Sequence, residues 1–122
     1  MTIRGLDHVQ LAMPQGEEAR ATAFYEALLG IPRVAKPDHL AKRGGCWFES
    51  GSVKIHLGVD ADFRAARKAH PALLVEGLDD LVARLRNSDV AVQPGEPLEG
   101  YQHVYVDDPF GNRMELMEPT SP

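Results

Sequence analysis

The sequence predicts an α+β fold made of two like halves. Three observations predict it. A strand, a helix and further strands occur in that order twice along the chain. The apolar residues switch between a period of two and a period near 3.6 at the matching places. Histidines also fall at corresponding positions in the two halves. The chain has 122 residues, enough for one compact domain with a core but not for two independent ones. The halves are expected at about residues 1–60 and 68–122 of that single domain.

The first half opens with "LDHVQLAMP", a strand over residues 5–13, with Leu6, Val9 and Leu11 as its apolar set. His8 and Gln10 share one face of it. A helix follows from about Gly16 to Leu29. Ala19, Ala23, Phe24, Ala27 and Leu28 recur at helical spacing, Glu17 and Glu18 occupy the favourable first turn, and Gly30 with Pro32 stops it. "CWFESG" and "VKIHLGV" read as a hairpin around a Gly-Ser turn. In the second of these strands Val53, Ile55, Leu57 and Val59 point one way, and Lys54, His56 and Gly58 the other. Residues 60–69, polar and Ala-rich, read as a linker.

The second half starts with the strand-like "HPALLVEG". An amphipathic helix "LDDLVARLRNSD" comes next, with Asp79 as its N-cap and Leu78, Leu81, Val82 and Leu85 on one face. "YQHVYVDDP" and "NRMELMEP" are strands joined by the turn "DPFGN", whose Asp, Pro and Gly are strong turn formers. In the last strand Met114 and Leu116 form the core set, and Arg113, Glu115 and Met117 face the opposite side.

Composition narrows the function. A net charge of −5 argues against a nucleic-acid binder, which needs a basic face. The one cysteine, Cys46, allows neither an internal disulfide nor a cysteine-rich zinc site, and no histidine is placed by sequence to activate it as a nucleophile. No long apolar run occurs, so no membrane partner is expected, and a cytoplasmic location is the default.

The repeat changes the reading of the histidines. With the first strands of the halves in register, His8 falls on His70 at an offset of 62. With the last strands in register, His56 falls on Glu115 at an offset of 59. Each half thus carries one ligand-capable residue at the start of its first strand and one in the middle of its last. Imidazoles with one carboxylate make a site suited to Zn, Ni, Co, Mn or Fe(II), with positions left open for substrate oxygens. A glutamate between Met and Leu is costly to bury unpaired and calls for a cation or water.

The stretches "LDHVQLAMP", "FYEALLGIP" and "VDDPFGNRMELMEP" resemble the vicinal oxygen chelate superfamily of glyoxalases, fosfomycin-resistance thiol transferases, extradiol dioxygenases and bleomycin-binding proteins. The resemblance runs from about Leu6 to Pro119. It implies two βαβββ modules whose curved mixed sheets surround a central cavity for a metal and a substrate. It places His8, His70 and Glu115 at ligand positions shared by many metal-using members. Glyoxalase I enzymes usually carry a glutamate where His56 stands, so His56 is open either as a fourth ligand or as a nearby acid/base.

The expectation is an enzyme that chelates a small molecule through oxygens on a divalent metal, by glyoxalase-like lyase or isomerase chemistry, with Glu115 and His56 as catalytic groups. Dioxygenase or thiol-transferase chemistry and a non-catalytic, bleomycin-like binding protein are the alternatives. Members of this size commonly form two-fold dimers, so a homodimer is expected. His39 reads as solvated. His103 either lines the cavity or lies on an exposed strand face. Removing His39 or His103 is expected to leave metal content nearly unchanged. Trp47 is open between packing and stacking on substrate, and Arg113 between binding a substrate carboxylate and orienting Glu115.

Overall fold

The computed structural model describes residues 1–121. The chain divides into two compact units, Met1–Arg64 and Ala65–Pro122. Each contains one open four-stranded mixed sheet and one principal helix.

In the first unit the sheet comprises β1 (Val9–Met13), β2 (Arg33–Val34), β3 (Cys46–Ser50) and β4 (Val53–Val59), in the order β1-β4-β3-β2. β1 runs parallel to β4, and β3 pairs antiparallel with β4 through the predicted hairpin. α1 (Glu18–Thr22) continues as a π-helical segment, Ala23–Leu28, and crosses over between β1 and the remaining strands. Phe24 and Tyr25 are both buried there, and Tyr25 stacks on Phe48 with ring centroids 5.2 Å apart. Met13, Ile55 and Leu57 complete this core. Three short elements, β2, α2 (Asp38–Ala41) and, in the second unit, the strand Val92–Pro94, are not read from the sequence; two to four residues give too little periodicity.

The second unit repeats the plan. Its strands are β5 (Ala72–Leu74), β6 (Val92–Pro94), β7 (Tyr101–Asp107) and β8 (Arg113–Pro119), in the order β5-β8-β7-β6. β5 is parallel to β8 and β7 antiparallel to it. α3 (Leu78–Asn87) buries Leu78, Leu81 and Leu85, and Val106, Met114 and Leu116 are buried within the sheet. The turn between β7 and β8 is as predicted. Asp108 Oδ1 accepts from the backbone N–H groups of Phe110 and Asn112, and the Asn112 amide donates to Asp108 Oδ2. Asn112 Oδ1 in turn accepts from the Ala66 N–H at 3.0 Å, which ties the linker to the start of β8.

Three local expectations are corrected. The first strand begins at Val9 rather than at residue 5, and Leu6 is fully exposed instead of joining the apolar face. His8 therefore sits just before β1. Asp79 is not the N-cap of α3. Gly77 holds that position with φ 78°, a left-handed conformation that only glycine adopts cheaply. The cap is long-range: Glu118 on β8 accepts from the Gly77 and Leu78 N–H groups at 2.7 and 3.2 Å. A carboxylate at this helix end satisfies two free donors and complements the dipole.

Replacing Glu118 by Ala removes that cap. The expected loss is about 1–2 kcal/mol, read as a lower urea midpoint with earlier amide exchange in α3 than elsewhere.

Candidate metal and substrate site

The predicted residues gather as two pairs, one in each unit. In the second unit, β8 carries Glu115 between the buried Met114 and Leu116, and Glu115 itself is only 9% exposed. Tyr105 on β7 and Ala72 on β5 flank it in register. His70 lies two residues before β5, and its Nε2 is 3.1 Å from Glu115 Oε1. His103 on β7 reaches the other carboxylate oxygen, with Nδ1 2.7 Å from Glu115 Oε2. Gly95 makes room for it, since a Cβ there would meet the His103 ring at 2.5 Å.

Hydrogen-bond partners fix much of the protonation. A carbonyl oxygen can only accept, so the His103 Nε2–H donates to Glu96 O while Nδ1–H donates to Glu115. Both ring nitrogens of His103 thus carry protons in the favoured state. The Glu96 carbonyl first and the Glu115 carboxylate second raise its pKa above the ordinary histidine value. Burial pushes the Glu115 carboxyl up, but hydrogen bonds from His103 and His70 outweigh it and hold the carboxyl below its usual value.

His70 donates from Nδ1 to the Lys68 carbonyl at 2.8 Å. Its Nε2 then faces a carboxylate oxygen, and the two atoms need a proton or a cation between them. A distance of 3.1 Å is also the edge spanned by two ligands on one metal with bonds of about 2.1 Å near a right angle. The Nδ1–carbonyl bond is the support that metal-ligating histidines commonly have. The donor set of this pair therefore fits a divalent metal.

In the first unit, His8 and His56 come together. Their rings stack at 4.2 Å, and Trp47 stacks on the other face of His56 at 3.9 Å with an interplanar angle of 3°. The ladder explains this, because Trp47 on β3 is the register partner of His56. His56 is buried, and its Nε2 lies 2.7 Å from Glu49 Oε2, which leaves Nδ1 for the lone pair. His8 Nδ1 bonds Asp7 Oδ1 at 2.9 Å, leaving Nε2 free to ligate. Asp7 also meets Lys54, 3.7 Å away. The His8 hydrogen bond, with Lys54 behind it, lowers the Asp7 carboxyl below its ordinary value.

Among the described residues, no group of three or more His, Cys, Asp or Glu side chains is arranged to hold a metal ion. What the structure brings together is His70 with Glu115, and His8 with His56. His39 lies on the exposed α2, as expected. Cys46 is buried, and burial pushes its thiol pKa up, the opposite of what a nucleophile needs. Two partners escaped the sequence reading. The sequence places Glu49 only within a strand and leaves His103 open between the cavity and an exposed strand face. His103 instead braces the Glu115 carboxylate. Alternation alone held the signal, since Glu49 faces as His56 does and His103 faces as Tyr105 does.

A family profile for the Glyoxalase/Bleomycin resistance protein/Dioxygenase superfamily matches residues 5–116. No curated protein matches. A glyoxalase family protein from Bacillus anthracis is 42% identical, with a TM-score of 0.94 and 98% of each chain covered. The fosfomycin resistance protein FosX from Listeria monocytogenes is 17% identical at a TM-score of 0.76, covering 98% of this chain and 97% of that one. A glyoxalase/dioxygenase from Nostoc punctiforme is 17% identical at 0.78, covering 97% and 92%. The last two share the fold.

In metal-free protein the His103 imidazolium should titrate above the ordinary histidine range, and Glu115→Gln should bring it down. A group with a raised folded pKa stabilises below its unfolded value and loses that contribution as pH rises through the folded one. Wild-type stability should therefore fall from about pH 6.5 upward more steeply than that of His103→Gln, by NMR titration and urea midpoints.

Proposed function

Because this chain belongs to the Glyoxalase/Bleomycin resistance protein/Dioxygenase superfamily, we propose that it is a divalent-metal enzyme acting on a small oxygen-rich molecule by glyoxalase-like lyase or isomerase chemistry. His8, His70 and Glu115 would hold the metal. The observation that carries the reading is the His70 Nε2–Glu115 Oε1 pair, 3.1 Å apart, which shares a proton in the metal-free protein and can share a cation in its place, with His70 supported from behind by Lys68 O. His8, whose Nδ1 is bonded to Asp7, offers Nε2 in the same manner.

When bound, the metal supplies Lewis acidity to a chelated substrate oxygen on which negative charge develops. The chain's own groups do the rest. Glu115 keeps its ionised form because His103 donates to its second oxygen. His56 is the acid/base in preference to a fourth ligand. Glu49 accepts a hydrogen bond from the Nε2–H and fixes the tautomer, so Nδ1 receives a proton from substrate and returns it. Trp47 and His8 clamp the ring between them, which keeps that nitrogen oriented. The working unit is proposed to be a homodimer, to be checked by light scattering.

Metal analysis and turnover of glyoxal-type and other oxygen-rich substrates test the assignment. Glu115→Gln and His8→Ala should each lose metal affinity by about 10- to 100-fold or more while remaining folded. His56→Asn should keep metal and lose about 10²- to 10⁴-fold in kcat. Equal metal retention in Glu115→Gln and wild type would overturn the ligand assignment. Metal binding without turnover of any such substrate would turn the reading toward a binding protein. Mixing His8→Ala with Glu115→Gln subunits should regain metal only if each site draws its ligands from two chains.

A further inference from the structure

The two sheets carry the same cation position with different fates. Lys54 and Arg113 correspond at the offset of 59 that relates His56 to Glu115, and their strands occupy equivalent places in the two sheets. Lys54 has an anionic partner, Asp7 at 3.7 Å. The counterpart of Asp7, at the offset of 62 that relates His8 to His70, is Ala69. The acid is missing from the second unit, and its cation is an arginine.

Arg113 is half-buried. Among the described residues its guanidinium makes no ion pair and no side-chain hydrogen bond. Asp107, its register partner on β7, is exposed and does not pair with it. The guanidinium instead lies over the Tyr105 ring, 4.0 Å from the centroid. Tyr105 is the register partner of Glu115, so the contact is diagonal and draws Arg113 along the face that carries the carboxylate. Stacking occupies the flat face of a guanidinium and leaves its N–H edges pointing outward as a planar fork. A half-buried fork of this kind, with no acceptor supplied by the protein, matches a carboxylate or phosphate-type group from outside.

We propose that Arg113 is the anion anchor of the substrate: it binds a carboxylate, phosphonate or phosphate group of a molecule whose oxygens are held at Glu115. The inference rests on the reading of Glu115 as a metal ligand. Arg113 and Glu115 are two residues apart on one strand, about 7 Å along it. The substrate is accordingly a short molecule, with its chelating oxygens and its anionic group only a few carbon atoms apart. Tyr105 positions the guanidinium, and the other cation beside Glu115, His103, has both ring nitrogens taken by Glu115 and the Glu96 carbonyl, which leaves Arg113 as the cation with open donors.

The test compares three chelators on metal-loaded protein by calorimetry. Acetohydroxamate has a neutral tail, succinate monohydroxamate a carboxylate tail, and 3-phosphonopropanohydroxamate a phosphonate tail. Wild type should bind at least one charged-tail chelator about tenfold more tightly than acetohydroxamate, and the better of the two identifies the anionic group. Arg113→Met keeps the stem over Tyr105 and should bring the ratio to about one with metal content unchanged; Arg113→Lys should keep part of it. A wild-type ratio near one, or a ratio unchanged in Arg113→Met, overturns the anchor and leaves the metal reading standing. If the protein holds no metal and binds none of the three, the metal reading has failed. The anchor is then judged on that protein by NMR: a saturable shift of the Arg113 Nε–H signal with methylphosphonate or acetate supports it, and no shift overturns it.

Discussion

A carboxylate in the middle of a buried strand must be neutral, paired or bound to a cation, and Glu115 is the residue on which this constraint falls. Burial alone pushes its carboxyl toward the protonated form. Its two oxygens are instead shared between His103 and His70, and much of the second unit is arranged around that sharing. Gly95 is bare so that the His103 ring can lie against the backbone. The linker is fastened to the β7–β8 turn through Ala66, Asn112 and Arg113, and His70 follows four residues after that fastening. The Pro71 carbonyl accepts from the Glu115 N–H, which sets the last step of the approach. An error in any of these parts would leave an ion inside the sheet with half its partners, which is worse than an apolar residue in its place.

The halves share a plan and differ in how their charges are settled. The first unit closes its own accounts: Asp7 meets His8 and Lys54, and Glu49 meets His56. The second concentrates charge on one carboxylate and leaves an arginine over a tyrosine. Identical topology with unequal electrostatics lets a duplicated scaffold offer different chemistry in its two halves.

Much of this was legible in the chain. The repeated order of elements, the hairpin and the DPFGN turn all follow from period-two patterning and turn chemistry within a few residues, where sequence carries the information directly. The repeat sets His8 against His70 and His56 against Glu115 as corresponding positions, whereas the contacts formed are His8 with His56 and His70 with Glu115. What escaped depends on contacts distant in sequence. Glu118 caps a helix that starts 40 residues earlier, so the nearby Asp79 looked like the better candidate. His103 and Glu115 are brought together by strand pairing, and no local pattern distinguishes that histidine from one on an exposed face. Leu6 reads as strand by hydropathy, yet it lies beyond the end of the ladder with β4 and has nothing to pack on in its own unit.

The single cysteine has a use that its inertness makes possible. Cys46 is fixed in a strand with neighbours on both sides, shut from solvent and held as the thiol. A thiol-directed reagent can reach it only when the sheet of the first unit parts. The speed of its modification in native buffer therefore clocks how often that half of the molecule opens, without a denaturant and without an introduced label. The second unit has no thiol to contribute background, so the clock belongs to one half alone.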